Sequence, residues 1–187
     1  LGVTRIAVLQ TDDSFGADAA LGAEKGFAAT GLKAVFLQKF PREQPDFAEL
    51  ASKVKASDVQ AILFIGSTGS VANGVKALRL AGQTAQVVTL SNNASEGFIK
   101  LLGEHARGII VTQVFPNERA MNFRLIKEAQ ELAKAKGLLG VSPAMVEGFA
   151  AAKVLVEGLR RAGPKPTPSG LRDALESIHK FDLGGLE

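Results

Sequence analysis

Four short apolar runs, each closing in a cluster of small polar residues, constrain this chain more than any other feature. Residues 5–10 (RIAVLQ) lead into Thr11-Asp12-Asp13-Ser14, and residues 34–38 (AVFLQ) into Pro41-Arg42-Glu43-Gln44. Residues 61–65 (AILFI) lead into Gly66-Ser67-Thr68-Gly69-Ser70, and residues 87–90 (VVTL) into Ser91-Asn92-Asn93-Ala94-Ser95. A stretch with helical periodicity follows each cluster. Strands buried on both faces read as unbroken apolar runs, and intervening helices imply right-handed parallel crossovers. The predicted class is α/β, a doubly wound parallel sheet of flavodoxin-like strand order with additional C-terminal helices. In such open sheets the ligand crevice lies outside the carboxyl ends of the strands. Those ends carry hydroxyls and amides, few charges and no obvious catalytic group, which favours a binding surface.

The helical periodicities are specific enough to name faces. Ala19, Ala20, Ala23 and Phe27 share one side of a helix ending at Gly31. Asp46 with Glu49 has the form of a capping box, ahead of Phe47, Leu50, Ala51 and Val54. Val71, Val75, Leu78 and Ala81 form a third stripe closing at Gly82, and Phe98, Ile99 and Leu102 a fourth that starts near Ser95. A fifth apolar run, residues 108–114, ends at Phe115-Pro116-Asn117.

Past Pro116 the pattern is helical only. Met121, Leu125, Ala129 and Leu132 predict an amphipathic helix stopping near Gly137, and Thr167 or Ser169 would cap a last helix over 171–178. Between them, residues 144–159 carry Val146, Phe149, Ala150, Val154, Leu155, Val156 and Leu159 around most of the circumference, the signature of a helix buried on more than one side. Burying six large apolar side chains contributes at most roughly 9–18 kcal/mol, as much as the net stability of a whole domain. This helix is therefore expected to pack under residues 1–115 or against a partner absent from the chain.

Composition narrows the function classes. With 46% hydrophobic and 22% charged residues the chain reads as globular, and its apolar runs fall well short of the ~20 residues that cross a bilayer. A net charge of +3 with Arg160-Arg161 as the sole basic doublet argues against a nucleic-acid partner. The absence of Cys excludes disulfides, zinc–thiolate sites and thiol catalysis. The first residue is not Met and the last seven read as the start of a strand, so the chain is expected to be a piece of a longer protein.

The motifs that resemble catalytic ones fail on their details. Asp12-Asp13 has the look of a receiver-domain acidic pair, but the third strand ends in Gly66-Ser67-Thr68 rather than an acceptor Asp. The 66–70 loop could cradle a phosphate yet lacks the Lys of a P-loop, which leaves a flavodoxin-like or nucleotide-binding enzyme as an alternative. His105 and His179 have no partner at catalytic spacing. No catalytic residue, metal or cofactor is expected. Phe15, just after the first strand, is either core or a ring that covers a ligand.

Several segments in order resemble the periplasmic solute-binding proteins of branched-chain amino acid transporters, the leucine/isoleucine/valine-binding family with the type I periplasmic-binding fold. They are Asp13-Ser14-Phe15-Gly16, Asp46-Phe47, Leu78-Arg79-Leu80-Ala81-Gly82, the run from Gly108 to Pro116, Glu147-Gly148-Phe149-Ala150-Ala151-Ala152-Lys153, Leu159-Arg160-Arg161-Ala162-Gly163 and Phe181-Asp182-Leu183-Gly184-Gly185. The resemblance spans essentially the whole chain. It implies a two-lobed periplasmic clamp that closes on a small solute and presents it to an ABC transporter permease. Residues 1–115 would be most of the second lobe. Residues 116–180 would pack on the absent first lobe, and residues 181–187 would begin a strand returning to the second. The helix over 144–159 would then be covered by that first lobe or by another copy. The ligand-sensing part of a receptor or regulator is a further alternative, since it shares this fold.

The same resemblance implies the ligand-binding residues. Phe15 matches a family aromatic, usually Tyr, that contacts the ligand, and Ser67 and Thr68 match the ligand-facing turn after the third strand. Ser91 stands where amino-acid binders hold a Glu that pairs with the ligand ammonium. Breaking a buried ion pair costs about 3–5 kcal/mol, and Ser91 has no charge to offer. An aromatic or other carboxylic acid, or an amide, then fits at least as well as an α-amino acid unless Asp12 or Asp13 substitutes. Asn92 and Gln113 complete the expected site with amide hydrogen bonds.

Overall fold

The computed structural model describes residues 2–186 and divides into two compact units, residues 1–112 and 113–187. In the first unit, β1 (Ile6–Thr11), β2 (Ala34–Phe40), β3 (Ala61–Ile65), β4 (Gln86–Thr89) and β5 (Ile110–Val111) form one sheet in the order β2-β1-β3-β4-β5. Every pairing is parallel. This is the flavodoxin-like order expected, and its direction reverses between β1 and β3.

The connecting helices are α1 (Ser14–Ala29), α2 (Phe47–Ala56), α3 (Thr68–Leu80) and α4 (Glu96–Leu102). The main core lies between the sheet and α2, α3 and α4, where Leu9, Ile62 and Phe64 meet Leu50, Val54, Val71, Val75, Leu78 and Phe98. A smaller cluster of Val8, Ala20 and Ile65 lies under α1. Phe40, Phe47 and Phe64 pack as a tilted trio with centroids 5.5–6.2 Å apart. Gly74 makes room for it, because a Cβ there would fall 2.2 Å from the Phe64 ring.

Helix starts and stops follow the local chemistry. Asp46 caps α2 by accepting from the Glu49 N–H, and Ser95 caps α4 by accepting from the Phe98 N–H. After α3, Gly82 turns at φ +77° while Arg79 donates to the carbonyls of Gln83 and Ala85 at 2.7 and 3.0 Å. The Leu78–Gly82 motif is thus the clip that aims the chain into β4.

Two expectations change. The fifth run pairs over Ile110–Val111 only, because β5 is an edge strand with β4 as its one neighbour in the sheet. β2, the other edge, alternates rather than being buried throughout, with Val35 and Leu37 exposed.

The second unit holds α5 (Arg124–Ala135), α6 (Pro143–Ala162) and α7 (Pro168–Glu176), the last capped by Thr167. Leu125, Ile126, Val146 and Ala150 form its core. Gly158 lets α7 approach α6, since a Cβ there would lie 2.5 Å from Leu175. Buried Glu157 is bound by Arg161 at 2.8 Å and Arg160 at 2.9 Å, and the Arg161 hydrogen bond holds its carboxyl below the ordinary range.

Among the described residues, Phe181–Leu186 form a turn. Asp182 Oδ1 accepts from the Gly184 and Gly185 N–H groups at 2.7 and 2.6 Å, and Arg124 pairs with Oδ2 at 2.7 Å. The helix over 144–159 is not buried all round within this chain. Val146 and Ala150 are enclosed, but Leu155, Val156 and Leu159 are 46%, 64% and 38% exposed, because α5 and α7 cover only part of its surface.

Candidate functional site

β1 passes directly into α1, and Asp13 makes the turn. Its Oδ1 accepts from the Gly16 N–H at 2.8 Å and the Thr11 hydroxyl at 3.1 Å. Gly16 is required by proximity, since a Cβ there would stand 2.0 Å from the Thr11 carbonyl oxygen. This contact seats Phe15, 39% exposed, in the first turn of α1 at the carboxyl edge of the sheet. From beyond β2, Arg42 reaches back with Nε 2.8 Å and Nη2 2.5 Å from Asp13 Oδ2. The Gly16 N–H, and then Arg42, hold the Asp13 carboxyl below its usual range despite partial desolvation. Asp12 pairs instead with Lys39 at 3.0 Å in solvent. Neither aspartate is left unpaired for a ligand ammonium.

The tips of β3 and β4 are tied to each other. Ser67 caps α3 by accepting from the Ser70 N–H at 3.3 Å, and its hydroxyl meets that of Ser70 at 2.9 Å. The Gly66 carbonyl accepts from Asn92 Nδ2 at 3.1 Å and Asn93 Nδ2 at 3.4 Å. Asn93 Nδ2 also donates to Thr89 Oγ1 at 2.9 Å, and that hydroxyl donates to the Phe64 carbonyl at 2.8 Å. Thr89 and Asn93 are buried, so this chain of bonds fixes the 66–70 turn against the 91–93 turn from beneath.

Phe15, Arg42, Ser67, Thr68 and Asn92 together line an open cleft of about 450 Å³. That volume lies within the range of small-molecule sites, about 300–1,000 Å³, and the cleft sits where the strand order reverses. Four of the six expected residues, Phe15, Ser67, Thr68 and Asn92, line it. Ser91, half-buried, opens the 3-10 turn beside Asn92 without lining the cleft. Gln113 is exposed at the start of the second unit. Arg42 was not anticipated. The pointer to it was the acidic cap at Asp13 together with a basic residue just past the strand that neighbours β1. Among the described residues no group of three or more His, Asp or Glu could hold a metal ion.

The sequence profile of one family, described as periplasmic binding protein, matches residues 1–187. The chain belongs to the periplasmic binding protein family. A solved family relative, a substrate-binding periplasmic protein from Ralstonia solanacearum, is 36% identical and superimposes with a TM-score of 0.82 over 98% of this chain and 53% of its own. A leucine-binding protein from Thermotoga maritima, 19% identical, has the same fold, with a TM-score of 0.83 over 98% of this chain and 52% of its own. The Leu/Ile/Val/Thr-binding protein of Salmonella typhimurium is 23% identical over 109 residues, 58% of this chain and 30% of that protein. The chain thus spans about half the length of these two solved proteins and under a third of the Salmonella protein.

Proposed function

We propose that the chain carries one ligand-binding lobe of a solute receptor for an ABC importer, and that it grips a small carboxylate-bearing solute without transforming it. The observation that carries this reading is the convergence of four strand tips on one cleft. An aromatic ring, a guanidinium, two hydroxyls and an amide line that cleft, with no nucleophile–base pair among them. Residues 1–115 act as most of the second lobe, and the helices over 116–180 pack on the first. The exposed Leu155, Val156 and Leu159 supply an apolar surface for that packing or for a second copy. The receptor works in the periplasm by hinge closure and hands its solute to a membrane permease.

A thermal-shift screen of the intact protein against amino acids, aromatic acids and small dicarboxylates tests the reading. A solute at a hundred times its Kd adds about 2.7 kcal/mol of stability, an upward shift of several degrees. Silence from every class at millimolar concentration would overturn it.

A further inference from the structure

We propose that Arg42 selects the solute by charge, donating to a ligand carboxylate while Asp13 holds the guanidinium in place and Phe15 covers the apolar remainder. The inference rests on the solute-receptor reading and names the chemistry of the same cleft. Arg42 is the one ionisable residue in the lining. Asp13 takes Nε and Nη2 through a single oxygen, Oδ2, and among the described residues Nη1 has no acceptor. The arginine side chain is 56% exposed, so a solute can reach it. A guanidinium pinned along one edge presents its remaining donors in a fixed plane, the arrangement that suits a carboxylate.

The other lining groups agree. Asn92 commits one Nδ2 hydrogen to the Gly66 carbonyl and keeps the second as a donor, and Ser67 and Thr68 add hydroxyls. A ligand ammonium would meet a guanidinium here and no carboxylate in the lining. Because Asp13 neutralises Arg42 as a net charge, the selection works at hydrogen-bond range rather than by long-range attraction. Carboxylate binding is therefore only weakly salt-dependent.

The test is calorimetric titration of the intact protein with two matched series at two salt concentrations. One is benzoate, benzamide and benzylamine. The other is 4-methylpentanoate, its amide and its amine, with leucine alongside. The expected result is a carboxylate preference over the amide of about tenfold or more in at least one series. Arg42→Gln brings the two within about threefold without weakening the amide, and Arg42→Lys keeps part of the preference. Asp13→Asn retains a capping oxygen but frees the guanidinium charge, so carboxylate binding becomes steeply salt-dependent. A preference that survives Arg42→Gln, or tighter binding of leucine than of 4-methylpentanoate, overturns the role of Arg42 and leaves the receptor reading standing. Failure of every probe, leucine included, overturns the pairing of Arg42 with Phe15 on a carboxylate, and it overturns the receptor reading itself when the thermal-shift screen is silent as well.

Discussion

Replacing Gly16 by alanine should destabilise the first unit, although the same exchange two turns along the same helix should stabilise it. The added Cβ of Gly16→Ala would start 2.0 Å from the Thr11 carbonyl oxygen and 2.9 Å from its hydroxyl. Real Cβ atoms essentially never come closer than 3.0 Å, so the helix start must move by at least an ångström. A Cβ cannot rotate away, and Thr11 is buried and in register with Phe40 in the sheet. Forcing such a contact costs about 1–3 kcal/mol, against a helix-propensity gain of about 0.5–1 kcal/mol. Gly22 and Gly26 lie on the exposed side of α1 with nothing within 4 Å, so alanine there collects the gain alone. Gly16→Ala and Gly22→Ala should differ by about 1–3 kcal/mol, or roughly 2–12 °C in melting temperature. With no Trp in the chain, calorimetry is a better assay than fluorescence. The solute affinity of Gly16→Ala should fall as well, because Phe15 moves with the helix start. Equal stabilisation by both exchanges would refute the reasoning.

Phe64→Ala removes the centre of the buried aromatic trio and should cost about 3–5 kcal/mol, read as an earlier urea midpoint for the first unit; a loss below 1 kcal/mol would show that the trio is not packed as described. Asn93→Ala withdraws the buried donor from Thr89 Oγ1 and Gly66 and should cost about 1–3 kcal/mol, measured by denaturation, with solute affinity falling as the turn at 66–70 loosens. Acid stability follows from Asp13, held low chiefly by the Gly16 N–H, Glu157 by the Arg161 hydrogen bond, and Asp182 by the Gly185 and Gly184 N–H groups. Each folded pKa lies below its ordinary value of 3.8 or 4.5, so each group's stabilisation is complete above those values. It is lost as pH falls through the lowered ones. Melting temperature should be flat through neutrality and drop below about pH 4.5, and a rise on acidification would contradict the sign.

The strands, their parallel order and two of the helix caps were legible because they depend on neighbours in sequence. Asp46 and Thr167 each satisfy an N–H three residues on, and the apolar runs that became β1 and β3 lie inside the sheet rather than at its edges. Four of the expected residues meet at one cleft because strand ends in an open parallel sheet converge on one edge. Arg42 was not legible, since its partner Asp13 is 29 residues away and meets it only once β2 lies beside β1. Ser91 does not line the cleft while its neighbour Asn92 does, because a 3-10 turn follows β4 there in place of a continuing strand. The exposure of Leu155 and Val156 was hidden by an apolar count that says how much a helix prefers burial, not what is there to bury it.

The most direct measurement is a crystal structure of the intact protein with the tightest solute from the screen. The account predicts that molecule chemically unchanged in the cleft, stacked on Phe15, with an oxygen within about 3.2 Å of Arg42 and another polar atom at Ser67 or Thr68. A solute bound away from these residues, or recovered as a reaction product, would contradict it.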